Sequence, residues 1–325
     1  MKVLVTGGAG FIGAHVAREL ARRGDEVVII DDFNDRYDPR LKEARVDNLL
    51  GVEVRVARGD IAGKELVGSL FAREKFDGLV HLAAWASVPQ SLHNPYVYSH
   101  SNVQGTVVLL EAAARNSVGR MVFASSSSVY GGRTDVPFRE TDNVMRPISP
   151  YAATKVAGEA LCSAWHAVYG MPISVLRFFN VYGAWGRPEG ALFKFANAIV
   201  TGQEVEMRGR QTARDFTYID DCVAGVITAL DRAKGFEVFN LGEADSVPLP
   251  RFIAAIETAL GRAAKVKEVP LPKGELPRSL ADISKAERLL GYRAKTTIEA
   301  GVAEFGQWYK EWYVSRFVAK AAVWK

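Results

Sequence analysis

The chain has 325 residues, 48% of them apolar, 24% charged and 10% aromatic, an ordinary globular composition with length for one large or two modest domains. Forty-one Lys and Arg against thirty-seven Asp and Glu leave a net charge of +4 spread along the chain, which argues against nucleic acid as a partner. Cys162 and Cys222 stand sixty positions apart without Cys or His at ligand spacing, so neither a disulfide framework nor a metal is expected, and no apolar run approaches the ~18 residues of a membrane span. Met1-Lys2 leads straight into Val3-Leu4-Val5, and a protein of a reducing cytoplasm is expected.

Val3 to Val5 is a short β-branched run followed by Thr6-Gly7-Gly8-Ala9-Gly10, after which Phe11, Ile12, Val16 and Leu20 recur at helical spacing. The pattern predicts strand, tight turn and helix. Gly7, Gly10 and Gly13 fall three apart, so backbone amides of the turn and of Phe11 and Ile12 can approach a diphosphate at the positive end of the helix. A second strand, Glu26 to Ile30, ends in Asp31, about twenty residues on, where a dinucleotide fold places the acid that binds the adenosine ribose. A carboxylate there repels a 2′-phosphate, which favours NAD over NADP; the alternative is a βαβ unit that binds nothing. Val52 to Val56, ahead of Gly59-Asp60-Ile61, and Leu79 to Leu82, ahead of Ala83-Ala84, read as further parallel strands. Asp60 and Ile61 would flank the adenine, and Leu82, Ala83 and Ala84 would pass close to the ribose and diphosphate.

Met121 to Ala124 is a buried strand by pattern and runs into Ser125-Ser126-Ser127-Ser128-Val129-Tyr130-Gly131. Ser149-Pro150 then opens a helix running through Tyr151, Lys155, Leu161 and Val168, with Tyr151 and Lys155 one turn apart on one face. Of eleven tyrosines only Tyr151 has a lysine four positions later. A free phenol titrates near pH 10, and a neighbouring ammonium favours the phenolate. With a serine hydroxyl at the adjacent strand end, the set suits proton transfer at an alcohol carbon undergoing hydride exchange. Gly183 to Arg214 should form loops and a helix, Asp220 to Leu230 a helix, and Phe236 to Leu241 a strand returning to the large sheet. Pro248, Pro250, Pro270, Pro272 and Pro277 punctuate the elements that follow, and residues 306–325 read as an end helix with an extension. His81, in a buried strand by pattern, reads as a core residue, and Asn102 as a hydrogen-bonding residue inside a helix.

These motifs, together with Arg177-Phe178-Phe179-Asn180-Val181-Tyr182-Gly183 and Arg214-Asp215-Phe216-Thr217-Tyr218, resemble the extended short-chain dehydrogenase/reductase superfamily, in particular its nucleotide-sugar epimerases. The resemblance covers nearly the whole chain. It implies an α/β fold, a Rossmann-type doubly wound parallel sheet with a smaller mixed α/β substrate domain, firmly held NAD, and a homodimer. The implied division gives residues 1–179, with returning segments about 215–241, to the NAD-binding domain, and about 180–214 and 242–305 to the sugar-nucleotide domain. It assigns Ser126, Tyr151 and Lys155 to catalysis, and adds Asn34, Asn102 and Phe178 to the NAD-binding residues already named.

The family members that dehydrate their sugar carry an Asp-Glu pair where this chain has Ser127 and Ser128, so 4-epimerisation is the reaction implied. Asn34-Asp35-Arg36-Tyr37-Asp38-Pro39 and Trp185-Gly186-Arg187-Pro188 resemble the UDP-glucuronate 4-epimerases, whose substrate carboxylate Ser127, Ser128 and Asn180 would hold through uncharged donors. The alternative is that the two serines only fill a turn. Arg187, Arg214 and Arg278 would meet the diphosphate, Phe193 the uracil, and Ser279 would leave the pocket roomy. One departure stands out: uronate epimerases carry Gln-Ala-Gly-Val-Arg where this chain reads Trp85-Ala86-Ser87-Val88-Pro89, and the lost arginine keeps UDP-glucose or an N-acetylhexosamine nucleotide open as substrate. A regulator that binds NAD without chemistry is a further class, disfavoured by the intact Ser126, Tyr151 and Lys155.

Overall fold

The computed structural model describes residues 1–271 and 276–318; Pro272 and the last seven positions of the expected extension lie outside the described residues. Among the described residues, twelve strands form three sheets. The large one is parallel and uses β1 (Lys2–Thr6), β2 (Glu26–Asp31), β3 (Arg55–Arg58), β4 (Gly78–His81), β5 (Arg120–Ser126), β6 (Ile173–Phe178) and, later in the chain, β10 (Phe236–Leu241). Their spatial order is β10-β6-β5-β4-β1-β2-β3. The order reverses between β1 and β4, and in a doubly wound sheet a crevice opens beyond the carboxyl ends of the strands at that switch.

The strands are apolar on both faces because helices cover both. Val3 and Val5 enter one core cluster and Leu4 the other; Val27 and Ile29 separate in the same way from Val28 and Ile30. The third strand departs from expectation. It begins at Arg55 rather than Val52, which is fully exposed, because pairing with β2 sets its register from Val28↔Arg55 to Asp31↔Arg58. As an edge strand it needs no apolar run of its own, and it delivers Gly59 and Asp60 to the crevice.

The remaining strands are β7 (Asn180–Tyr182), β8 (Glu204–Arg208), β9 (Ala213–Tyr218), β11 (Ser246–Pro248) and β12 (Lys265–Val269). β7, β9 and β11 make a three-stranded sheet, and β8 pairs with β12. Residues 213–218 therefore stay out of the large sheet, the helix Ile219–Asp231 crosses back to pack on the helix Phe11–Arg22, and Phe236–Leu241 closes the large sheet's edge against β6. The end helix expected from position 306 starts earlier: Ile298–Trp308 continues through a π turn, Tyr309–Tyr313, into Val314–Phe317. No helix among the described residues is long and apolar enough to cross a membrane.

Candidate active site

A cleft of about 460 Å³ opens over the carboxyl ends of β1, β4, β5 and β6. One half is backbone. Gly7 (φ +67°) turns the chain after β1, and a Cβ there would lie 2.8 Å from the backbone of Ala83. At Gly13 a Cβ would sit 2.1 Å from the Gly7 carbonyl. The helix therefore rises hard against the strand, and its first amides face the cleft through Phe11 and Ile12. Asp31, at the tip of β2, accepts from the amides of Ala9 (3.2 Å) and Phe33 (2.9 Å) and has Lys42 Nζ at 3.6 Å. Burial raises its pKa, and Lys42 opposes the rise. This cradle fits a dinucleotide: glycines leave room for phosphates, and a buried carboxylate stands at the tip of the next strand, where such a fold binds the ribose. Asn34, Asp60, Ile61, Leu82, Ala83, Ala84 and Phe178 line the same cleft.

The other half is made of side chains. β5 ends at Ser126 and passes into a 3₁₀ turn, Ser127–Tyr130, in which Ser126 Oγ accepts from Ser128 N and donates to Ser128 Oγ, both at 3.2 Å. The helix Pro150–Tyr169 starts beside it, capped by Ser149 Oγ on Ala152 N and stopped by Gly170 in the left-handed region. Tyr151 and Lys155 are both buried and reach the cleft with Ser126, Ser127, Ser128, Asn180, Arg187 and Phe193. Lys155 Nζ donates to the Ala124 carbonyl at 2.7 Å, and burial pulls its pKa down to about 8. Burial pushes the Tyr151 phenol up; a hydrogen bond with Ser126 and the charges of Arg187 and Arg36 oppose it. Both of these cations come from loops, Arg36 after β2 and Arg187 after β7.

Three of the expected binding residues do not line the cleft. Asn102 is buried inside a π turn, Ser99–Gln104; its Oδ1 accepts from Trp85 N (2.8 Å), and its Nδ2 donates to Trp85 O (3.0 Å) and Thr154 Oγ1 (2.9 Å). Its amide thus ties the cleft wall at Trp85 to the Tyr151 helix at Thr154. Arg278 is exposed and reaches Ser246 Oγ, and Arg214 donates to the Ala213 carbonyl; the two are brought together by the Ala213↔Arg278 bridge. Ser279 is buried beneath them, accepting from Asp215 N. Phe193 lines the cleft but is packed edge-on against Phe305, Trp308, Tyr309 and Tyr313, which makes it part of the wall's core.

Several residues around the site make ties that the sequence did not reveal. His81, read as a core residue, shares hydrogen bonds with Thr6 Oγ1 (2.8 Å) and Thr106 Oγ1 (2.9 Å), and Thr106 donates to the Asn102 carbonyl. Burial holds His81 down at about 3, so the ring is neutral and can be donor on one side and acceptor on the other. Glu159, one turn past Lys155, accepts from Ser125 Oγ and from Arg177 at 2.7 and 3.0 Å, clamping helix to sheet. The spacing Tyr151-Lys155-Glu159 is the signal that could have found it. Arg45 is fully buried without a carboxylate partner among the described residues; it donates to Ala9 O (3.1 Å), Trp185 O (2.8 Å), Gly186 O (2.9 Å) and Tyr37 Oη (2.7 Å). It ties the glycine turn to the loop that carries Arg187. Trp185, held there with φ +62°, plugs the aromatic cluster at Trp308 and Trp312.

Comparison with known proteins completes the site. The model of a family described as NAD dependent epimerase/dehydratase matches residues 3–242. UDP-glucuronate 4-epimerase 4 of Arabidopsis thaliana is 43% identical over 330 residues, covering 96% of this chain and 76% of that protein. Among solved structures, the UDP-glucuronic acid 4-epimerase of Bacillus cereus, in complex with UDP-glucuronic acid and NAD, superposes with a TM-score of 0.89 at 33% identity, covering 95% of this chain and 99% of the other. The UDP-glucose 4-epimerase of Thermotoga maritima, with UDP-glucose, superposes with a TM-score of 0.88 at 29% identity, covering 95% and 99%.

Proposed function

Since the chain belongs to the NAD dependent epimerase/dehydratase family, we propose that it is an isomerase interconverting UDP-glucuronate and UDP-galacturonate through a 4-keto sugar. The observation that carries the reading is the pairing of Ser126, Tyr151 and Lys155 with a purely hydroxyl turn, Ser127–Ser128, in one cleft with the glycine cradle. When bound, NAD supplies the chemistry of taking hydride from C4 and returning it to the opposite face. Tyr151 takes the proton of the C4 hydroxyl and gives it back, while Ser126 holds the same oxygen. Lys155, fixed by the Ala124 carbonyl, keeps a positive charge beneath this helix turn at neutral pH, since even its lowered pKa is about 8.

Ser127, Ser128 and Asn180 hold the sugar carboxylate near the ring plane. That orientation keeps the bond to carbon dioxide out of line with the C4 carbonyl, so the β-keto acid survives until it is reduced. Neutral hydroxyls also supply no acid–base pair for eliminating water. Gly7, Gly10, Phe11, Ile12 and Gly13 would cradle the NAD diphosphate, Asp31 the adenosine ribose, Asn34, Asp60 and Ile61 the adenosine surroundings, and Leu82, Ala83, Ala84 and Phe178 the nicotinamide half. Arg187 would approach the UDP diphosphate or sugar from the loop, with Arg214 and Arg278 acting from the rim.

A second reading, UDP-glucose and UDP-galactose, is favoured by Pro89, which stands where uronate epimerases carry arginine. NMR of the enzyme with UDP-glucuronate and, separately, UDP-glucose distinguishes them. Appearance of UDP-galacturonate without UDP-pentose supports the first reading; conversion of UDP-glucose alone supports the second, and a pentose makes the enzyme a decarboxylase. The proposed organisation is a cofactor domain of residues 1–179 with about 219–241, a sugar-nucleotide domain of about 180–218 and 242–297, and a C-terminal helical segment from 298, in place of the expected bounds at 215 and 306. A cytoplasmic homodimer completes the proposal, supported by Leu92 and Tyr96, 65% and 83% exposed on neighbouring short helices. Light scattering with size-exclusion chromatography reads the dimer directly.

A further inference from the structure

Arg36 comes from the loop after β2, far in sequence from Tyr151, yet its side chain is only 7% exposed in the cleft wall. Its Nε donates to Glu189 Oε1 at 2.7 Å and its Nη2 to the Ala86 carbonyl at 3.0 Å, and the guanidinium lies 5.3 Å from the Trp85 ring centroid. Its Nη1 is buried without a hydrogen-bond partner. Arg187 Nη1 donates to the same Ala86 carbonyl at 2.9 Å. Two guanidiniums thus converge on one neutral oxygen with a single carboxylate beside them. Such a cluster holds excess positive charge and a spare donor, the complement of an incoming anion.

Trp85, Tyr98 and Tyr151 form a row with 6.2 Å between successive ring centroids, and the charges of both Arg36 and Arg187 bear on the Tyr151 phenol, the group that serves C4. Burial raises the Tyr98 phenol as well, and Arg36 is the first charge opposing it. A carboxylate on C5 is the anionic group nearest to C4. We propose that Arg36, steadied by Trp85 and Glu189 and seconded by Arg187, is a specificity-determining residue that binds the sugar carboxylate of the substrate. The inference rests on the UDP-uronate reading above. It also gives Trp85 and Ala86 a purpose, as the shelf that holds the guanidinium, in the very stretch where an arginine is missing at Pro89.

The test compares calorimetric binding of UDP-glucuronate, UDP-glucose and UDP to wild type, Arg36→Gln and Glu189→Gln, alongside steady-state kinetics on UDP-glucuronate. Arg36→Gln is expected to weaken UDP-glucuronate binding about tenfold more than UDP-glucose binding, with UDP affinity changing less than about threefold. Glu189→Gln, which removes the carboxylate competing for Arg36, is expected to move the ratio the other way, and it stands as the test if Arg36→Gln does not fold. Equal losses on both sugars with a matching loss of UDP binding would overturn the inference in favour of a diphosphate contact. Equal losses with UDP binding intact would overturn it in favour of simple wall packing, as would a ratio unmoved by Glu189→Gln. A wild type that converts UDP-glucose but not UDP-glucuronate refutes the uronate reading before any variant is compared, and the carboxylate role with it.

Discussion

The two halves of the cleft are built from different materials. The cofactor half is a turn of seven residues, Gly7–Gly13, whose chemistry lies in backbone amides and in the absence of Cβ atoms; a single buried acid, Asp31, completes it from the next strand. The sugar half gathers side chains from the loop at 34–37, the strip at 85–89, the serine turn, the Tyr151 helix and the loop at 183–190. The first is set by local steric rules and is insensitive to its neighbours' identity. The second exists only because buried polar ties bring remote segments together, above all Arg45 between Ala9 and Trp185–Gly186 and Asn102 between Trp85 and Thr154. In the proposed function the first half holds the cofactor, and the second carries both proton transfer and discrimination among sugars.

The largest effect expected separates chemistry from binding. Tyr151→Phe should lower kcat by about 10²–10⁴-fold while the purified protein keeps its NAD, as read by the nucleotide released on denaturation. Turnover within tenfold of wild type would overturn the proposal that Tyr151 is the proton-transferring group. Gly13→Ala attacks the other half: with the Gly7 carbonyl 2.1 Å from the new Cβ, the turn has to open, so NAD should be lost from the purified protein and the melting temperature should fall. A variant that retains NAD at full occupancy would show that the close approach of helix and strand is not what shapes the cradle.

Arg45→Met probes the tie between the halves. Removing the guanidinium leaves three buried carbonyls short of a donor, at roughly 1–3 kcal/mol for each that water cannot reach. Lower thermal stability together with a raised KM for the sugar nucleotide is expected, with Arg45→Lys recovering part of both. A stability loss with unchanged KM would mean that the two halves are positioned independently. The smallest effect concerns the small sheet under the sugar half. Asp215, fully buried and accepting from the amides of Ala281 and Glu243, has its pKa raised to about 6 by burial; Glu243 beside it is raised to about 8 by burial and by Asp221 and Asp215. Both folded-state values lie above the unfolded ones, so their contribution to stability is fully present below about pH 4 and is lost as pH rises through 6 and then 8. Melting scans should show Glu243→Gln flattening the upper part of that decline; an unchanged slope from pH 6 to 8 would exonerate Glu243.

Much of this could be read from the chain before any fold was known. The apolar strands, the glycine turn, Asp31, the serine run and the Tyr151-Lys155 helix follow from rules that operate within a few residues: which side chains tolerate burial on both faces, where a Cβ is forbidden, which residues lie one turn apart. Even the strand that slipped, 55–58 rather than 52–56, slipped because an edge strand is specified by its partner β2 and not by its own apolar content. What tertiary structure alone decided is where long polar side chains end. Arg36 and Arg45 sit nine positions apart in one apparently surface-like segment, yet one enters the sugar wall and the other the buried floor, while Arg278 stays at the rim and Asn102 is consumed inside the protein. A flexible side chain takes the nearest unpaired backbone group or carboxylate that packing presents to it, and those partners, Ala86, Glu189, Ala9 and Trp185, are brought within reach only by contacts spanning up to some 150 residues of sequence.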